Sequence, residues 1–330
     1  MPNPVIAEVT RGGVVESRHT GAYAVVDAAG KLVASAGDVT QAVFPRSAIK
    51  AFQCLPLIES GAADRFGFSD EELALACASH SGEAPHVRVA GGMLAKAGMS
   101  EAQYECGAHW PYELSAQHDM VRHAEEPRAI HNNCSGKHAG MLALAHQLGV
   151  PAEGYSRIDH PVQRAIARTL SELCDVDIGS QPHGIDGCSV PTWAIPLRNL
   201  ALGFARFASG ATLDEARKAA SLRIIEAVRA HPFMVAGTNR FCTRVMQRVP
   251  RAFVKTGAEG VFCGAVPHAG FGIALKCDDG ASRASESAMA AVLASLPVWT
   301  DSERQALKTF AGSDLSNWRK IHVGDVHALI

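Results

Sequence analysis

The chain has 330 residues, a formal net charge of −2, a pI near 6.7, 47% hydrophobic residues and 19% charged ones. With near-neutral charge and no long basic run, nucleic acid is not an expected partner, and no apolar stretch reaches the roughly 18 residues of a membrane span. A chain this long buries about three-quarters of its unfolded surface, so its core needs no covalent staples.

Met1-Pro-Asn-Pro-Val-Ile-Ala-Glu8 lacks the basic and apolar regions of a signal peptide. Cys54, Cys77, Cys106, Cys134, Cys174, Cys188, Cys242, Cys263 and Cys277 are odd in number and scattered through apolar segments. Free thiols in a reducing cytoplasm suit that pattern better than a disulfide framework.

The N-terminal part reads as strands. Ala22–Val26 and Leu32–Ala36 are β-prone runs around the turn Asp27-Ala-Ala-Gly30. A helix is predicted from about Ser47, with Ile49, Phe52, Leu55 and Ile58 forming a buried stripe. Ser69-Asp-Glu-Glu72 is a capping box opening a helix to about Cys77. The middle reads as mostly helical, with helices predicted at Pro85–Lys96, Lys137–Leu148, Pro161–Leu173, Leu213–Ala230 and Thr238–Val249. Strand character returns at Ala252–Thr256, Gly260–Gly264 and Phe271–Lys276. Helices near Ser285–Leu296 and Ser302–Phe310 lead to a last short strand near Lys320–Val323. This order predicts one α+β domain over residues 1–330. Its antiparallel sheet comes from both chain ends (about 1–45 and 250–330), with flanking helices and a helical middle part of about 46–249.

Ser47 and Lys50, in Phe44-Pro-Arg-Ser-Ala-Ile-Lys50, are the only Ser-x-x-Lys pair in the chain. On a helix, positions i and i+3 share a face, and a neutral lysine there takes the serine proton and makes a nucleophile for acyl transfer. The motif alone is weak, and by itself a plain helix surface is the better account of it. Four further elements accompany it: Cys77-Ala-Ser79-His-Ser81-Gly-Glu83, Asn132-Asn-Cys134-Ser-Gly-Lys137-His138, His183-Gly-Ile-Asp186-Gly-Cys188-Ser-Val-Pro191 and Lys255-Thr-Gly-Ala-Glu-Gly260. Serines before Gly commonly form turns, and cysteines this far apart are poor evidence for zinc by spacing alone.

Ser-x-x-Lys, a Ser-x-Ser loop and a late Lys-Thr-Gly resemble the serine β-lactamase and penicillin-binding superfamily. The longer strings Phe44–Lys50, Asn133–His138, Asp186–Cys188 and Lys255–Gly260 resemble the asparaginase II family, the Rhizobium-type or class 3 L-asparaginases, over essentially the whole chain. The resemblance implies a β-lactamase/glutaminase-like fold, a homodimer, and hydrolysis of L-asparagine to L-aspartate and ammonia. It also implies a Ser47–Lys50 pair, a second pair of Ser79 with Lys255, and a zinc ion on Cys134, Lys137 and Cys188. Ser79-His80-Ser81 in place of Ser-Asp-Asn departs from the wider superfamily and counts against β-lactam chemistry.

Amide hydrolysis requires a nucleophile, an unprotonated base and donors for the oxyanion. Ser47 is the expected nucleophile and Lys50 its base, with Ser79 and Lys255 relaying protons to the leaving ammonia; the reverse order of serines is the alternative. The Ser47 backbone amide is an expected oxyanion donor. Asp186 is a candidate for the substrate ammonium and Arg46 for its carboxylate, though either serves equally as a surface ion pair. His138 is a candidate for the surroundings of substrate and metal, against simple packing on its own helix. Glu259 could hold the turn after Lys255. Rival readings are a glutaminase or broader ω-amidase, one methylene away in substrate, and a non-catalytic amino-acid sensor.

Overall fold

The computed structural model describes residues 2–330 and divides into two compact units, formed by 1–48, 195–209 and 245–330 on the one hand and by 49–194 and 210–244 on the other. The first unit is built on an eight-stranded sheet. Its strands run in the order Gly312–Ser316, His322–Ala328, Val5–Arg11, Val14–Asp27, Phe271–Cys277, Val261–Val266 and Phe253–Thr256, and Leu32–Ala36 pairs with Val14–Asp27. All of its pairings are antiparallel, so the expected α+β sheet from both chain ends is present. The hairpin around Asp27–Gly30 closes as expected, with Asp27 Oδ1 accepting from the Ala29 and Lys31 amides.

Two glycines show how this sheet is covered. At Gly272 a Cβ would fall on the Ala201 carbonyl and the Ala205 amide of the helix Leu197–Ser209. At Gly264 it would face Met289 of the helix Ser282–Ser295. Gly264 lies opposite Ile273, the neighbour of Gly272, and adjacent residues of a strand point to opposite faces. The two helices therefore cover opposite faces, which explains why Phe271–Cys277 is almost continuously buried. The helix Leu197–Ser209 and the edge strand Gly312–Ser316 are additions to the elements expected from sequence.

The second unit is helical. Its centre is the helix Ser135–Leu148, whose first eleven residues are all buried, the signature of a helix enclosed on every side. Gly136 and Gly140 permit this: a Cβ at either would press on Leu75 or on Leu57 and Ala76 of neighbouring helices. The capping box at Ser69 is formed, with the Ser69 amide donating to Glu72 at 2.7 Å and the Glu72 amide to Ser69 Oγ at 3.4 Å. No helix among the described residues is long and apolar enough to cross a membrane.

Replacing Gly272 by alanine forces the helix Leu197–Ser209 off the sheet. A loss of about 1–3 kcal/mol is expected, the usual cost of overpacking a core, read as a lower urea midpoint; an unchanged midpoint would contradict this packing.

Candidate functional site

In the second unit, Lys50 is the first residue of the helix Lys50–Glu59 and is completely buried. Its Nζ donates to the Ala78 carbonyl and, at 3.3 Å, to the Asn133 carbonyl. Among the described residues it forms no ion pair with a carboxylate. The amine thus holds the loop bearing Ser79 to the loop leading into the helix Ser135–Leu148. Ser79 is 8% exposed and its amide donates to Val235 O at 2.9 Å. The His80 amide donates to the same Asn133 carbonyl at 3.2 Å, and Ser81 Oγ donates to Ala236 O at 2.8 Å.

Cys134, Lys137 and Cys188 are brought together by two local devices. Asn132 Oδ1 accepts from the Cys134 amide at 2.9 Å while its Nδ2 donates to the Cys106 and Gly107 carbonyls, shaping the start of the helix. The hairpin His183–Ile185 with Pro191–Trp193 turns through Asp186–Val190, with Ser189 at a φ of 74°. Lys137 Nζ donates to Cys188 Sγ at 3.0 Å, and Cys134 Sγ lies 3.0 Å from Asn133 Oδ1. The hydrogen bond from Cys134 lowers the Cys188 thiol to about 5 against the effect of burial, and the Lys137 and Lys50 ammoniums reinforce it. The same bond pushes the Cys134 thiol up to about 12. Burial works against the Lys137 cation, but Cys188, Cys134 and Asp186 together raise its pKa. Of the two sulfurs, Cys188 is thus the one more readily deprotonated, with Lys137 Nζ donating to it. Cys134, Lys137 and Cys188 would offer two sulfurs and one amine to a zinc ion, donors of the soft and nitrogen types zinc accepts. Lys137 and Cys134 would each have to give up a proton to bind it.

Asp186 sits at the rim, with its Oδ1 accepting from the Gly187 amide at 2.7 Å. His138 is turned to Tyr155, whose hydroxyl lies 2.6 Å from Nδ1 and itself accepts from the Glu105 amide at 2.9 Å. Burial, then the Lys137 cation, lowers His138 to about 3, and its Nε2 is buried without a partner.

In the first unit, Arg46 has a φ of 52°, a left-handed conformation that costs about 1–3 kcal/mol for a residue other than glycine. It sharply turns the chain into the 3-10 segment Arg46–Ile49, on which Ser47 is part-exposed, three residues before Lys50 along one continuous helical run. Lys255 is 1% exposed on Phe253–Thr256, and its Nζ donates to Thr256 O at 3.0 Å. Gly257 lies against the same turn as Ser47, since a Cβ there would collide with the Pro45 carbonyl and stand 3.4 Å from Ala48. Glu259, at a φ of 57°, holds the following turn as expected, and its carbonyl accepts from Lys276 at 2.7 Å.

Sequence reasoning missed Tyr155 and the shared acceptor role of the Asn133 carbonyl. Tyr155 carries no local signal, and any residue type can supply a carbonyl.

A buried hydroxyl-bearing loop, the buried Lys50 and Lys137 and the two thiols beside Lys137 make this a polar cluster rather than a plain apolar core. The family profile described as L-asparaginase II matches residues 7–328, and the chain belongs to that family of amidohydrolases. No curated protein matches the chain. Among solved structures, it aligns with Mglu at 16% identity and a TM-score of 0.36, covering 80% of this chain and 64% of that one. Mglu in its tris and glutamate form aligns at 15% and 0.36, covering 87% and 61%. A β-lactamase from Mycobacterium bovis aligns at 13% and 0.38, covering 88% and 92%. The chain spans less than two-thirds of the length of these Mglu chains.

The histidines of the second unit predict an acid-labile fold. Burial holds His80 and His86 below their ordinary range, whereas the unfolded chain takes up their protons near pH 6.5. Below that pH the unfolded state binds more protons, so stability present above about 6.5 is lost as pH falls. His322, raised by Asp325, acts oppositely but is fully exposed. The urea midpoint should fall between about pH 7 and about pH 5, where carboxylates barely titrate; a flat or rising midpoint would refute this.

Proposed function

We propose that this protein hydrolyses L-asparagine to L-aspartate and ammonia by acyl transfer through Ser47. The observation that carries the reading is the environment of Lys50. Lys50 is buried three residues after Ser47, and its Nζ donates to the Ala78 and Asn133 carbonyls; in the deprotonated form that the reaction requires, its lone pair would serve the Ser47 hydroxyl. Family membership supplies the amide substrate.

Ser47 Oγ attacks the side-chain amide carbon while Lys50 Nζ takes its proton. The C–N bond then breaks, and ammonia leaves with a proton delivered by Ser79 and Lys255. Water hydrolyses the ester by the reverse proton route. The Ser47 amide stabilises the oxyanion, Asp186 accepts the substrate ammonium and Arg46 its carboxylate, and His138, buried against Tyr155, acts from behind the residues that surround the substrate. The strained φ of Arg46 fits a residue that holds its part-exposed neighbour in a defined position. Cys134, Lys137 and Cys188 would hold zinc, which supplies a fixed positive centre for ordering substrate. Nine free, buried cysteines suit a reducing cytoplasm, and a homodimer completes the proposal.

Ser47→Ala should lower ammonia release from L-asparagine by at least about a thousandfold with the fold intact by circular dichroism; more than about a tenth of wild-type turnover would remove Ser47 as nucleophile. L-glutamine assayed in parallel separates an asparaginase from a broader ω-amidase. Cys188→Ala should abolish bound zinc measured by mass spectrometry while leaving the urea midpoint within about 1 kcal/mol of wild type. Full zinc occupancy in that variant would overturn the ligand set.

A further inference from the structure

The loop carrying Ser79 is held by an imidazole that the mechanism above does not use. His80 is 0% exposed, and its two ring nitrogens have opposite roles. The Gly82 amide donates to Nδ1 at 3.1 Å, so Nδ1 carries no proton and the one ring N–H of the neutral imidazole is on Nε2. Nε2 stands 3.0 Å from Ser135 Oγ and donates to it. Ser135 opens the helix Ser135–Leu148 and lies between Cys134 and Lys137 in the chain. The main chain doubles this connection, because the His80 amide donates to the Asn133 carbonyl that Lys50 also holds.

The ring has no freedom to turn. It stacks on His86 with centroids 4.8 Å apart and planes 13° apart, and His86 stacks in turn on Phe233 at 4.7 Å. His86 Nε2 is itself bound to the Phe233 carbonyl at 3.2 Å. Burial first, then the neighbouring His86 and Lys50, keep His80 unprotonated, so its tautomer persists across the working pH range. Gly82 has a φ of +74° and no room for a side chain, since a Cβ would meet the His131 carbonyl. That conformation aims its amide back at His80.

We propose that His80 is a positioning residue for the reaction: its single Nε2–H···Ser135 hydrogen bond sets the Ser79 loop against the turn that carries Cys134 and Lys137. The proposal rests on the reading of Ser79 as part of the proton route. It separates His80 from a histidine that merely fills a core, because a core filler acts through its volume and would not be coupled to one hydroxyl.

The test is a double-mutant cycle on His80→Ala and Ser135→Ala, with His80→Gln as the rescue. Each alanine variant should lower kcat for L-asparagine by about 10–100-fold with KM changed less than about threefold. The double variant should be no slower than the worse single one, since both remove the same bond. His80→Gln, whose side-chain nitrogen still donates, should recover most of the loss. Amide hydrogen exchange over residues 79–82 should quicken by about tenfold in both alanine variants and return towards wild type in His80→Gln. Additive losses, or a glutamine variant as slow as alanine, would overturn the proposal. If wild-type protein releases no ammonia from L-asparagine, the amidase reading fails by itself, and hydrogen exchange decides the positioning role: unchanged exchange in the alanine variants rejects it.

Discussion

The carbonyls of Ala78 and Asn133 belong to loops that no helix or strand ladder holds, and both terminate on the ε-amine of Lys50. Backbone groups buried outside regular structure must find partners, because each orphan costs about 1–3 kcal/mol. Here the partner is a side chain that the proposed mechanism also uses. That economy explains why the site is rigid although its backbone is irregular. The Ser79 loop and the Cys134 turn meet at one nitrogen, so any displacement of Lys50 moves both. The closely packed helix Ser135–Leu148, admitted to the centre of its unit by Gly136 and Gly140, makes one of those anchors immobile.

Burying charge is the second theme. Cys188 is buried, Lys137 Nζ donates to its sulfur, and interaction with Cys134 and the lysines favours its thiolate against the cost of burial. An isolated thiolate there would be protonated, because a buried charge needs a partner; Lys137 is that partner. Lysine is an uncommon metal ligand because it is ordinarily protonated, and this one is more firmly protonated than usual. A cation entering the cluster would thus exchange with protons already stored there, which makes its uptake steeply dependent on pH.

Much of this was legible in the sequence, for reasons that can be named. The capping box at Ser69, the Asp27–Gly30 turn and the helices from Ala84, Pro161 and Asp301 are written in local chemistry, and they form close to where that chemistry places them. The helix Leu197–Ser209 carries apolar residues at helical spacing, a signal present in the sequence but outside the elements expected from it. The strand Gly312–Ser316 is different: Gly, Ser and Asp are poor strand formers, and pairing with His322–Ala328 creates it. At the site, Ser47 and Lys50 are adjacent on one helical run and can be read directly. Cys134, Lys137 and Cys188 cannot, because a hairpin brings Cys188 in from a distant part of the chain, and only the family resemblance pointed to it. The tautomer of His80 lay wholly outside the sequence, since it is set by a main-chain amide and a buried hydroxyl.

The nine cysteines, all reduced and all buried, have a use unconnected with catalysis. They are spread over both units, in the sheet at Cys263 and Cys277 and in the helical part from Cys54 to Cys242. A thiol reagent in solution can react only when the surrounding structure opens, so each sulfur is a clock for the local breathing of its own neighbourhood. Mass-resolved alkylation would therefore turn this chain into a nine-point map of its own transient openings, with no cysteine added or substituted.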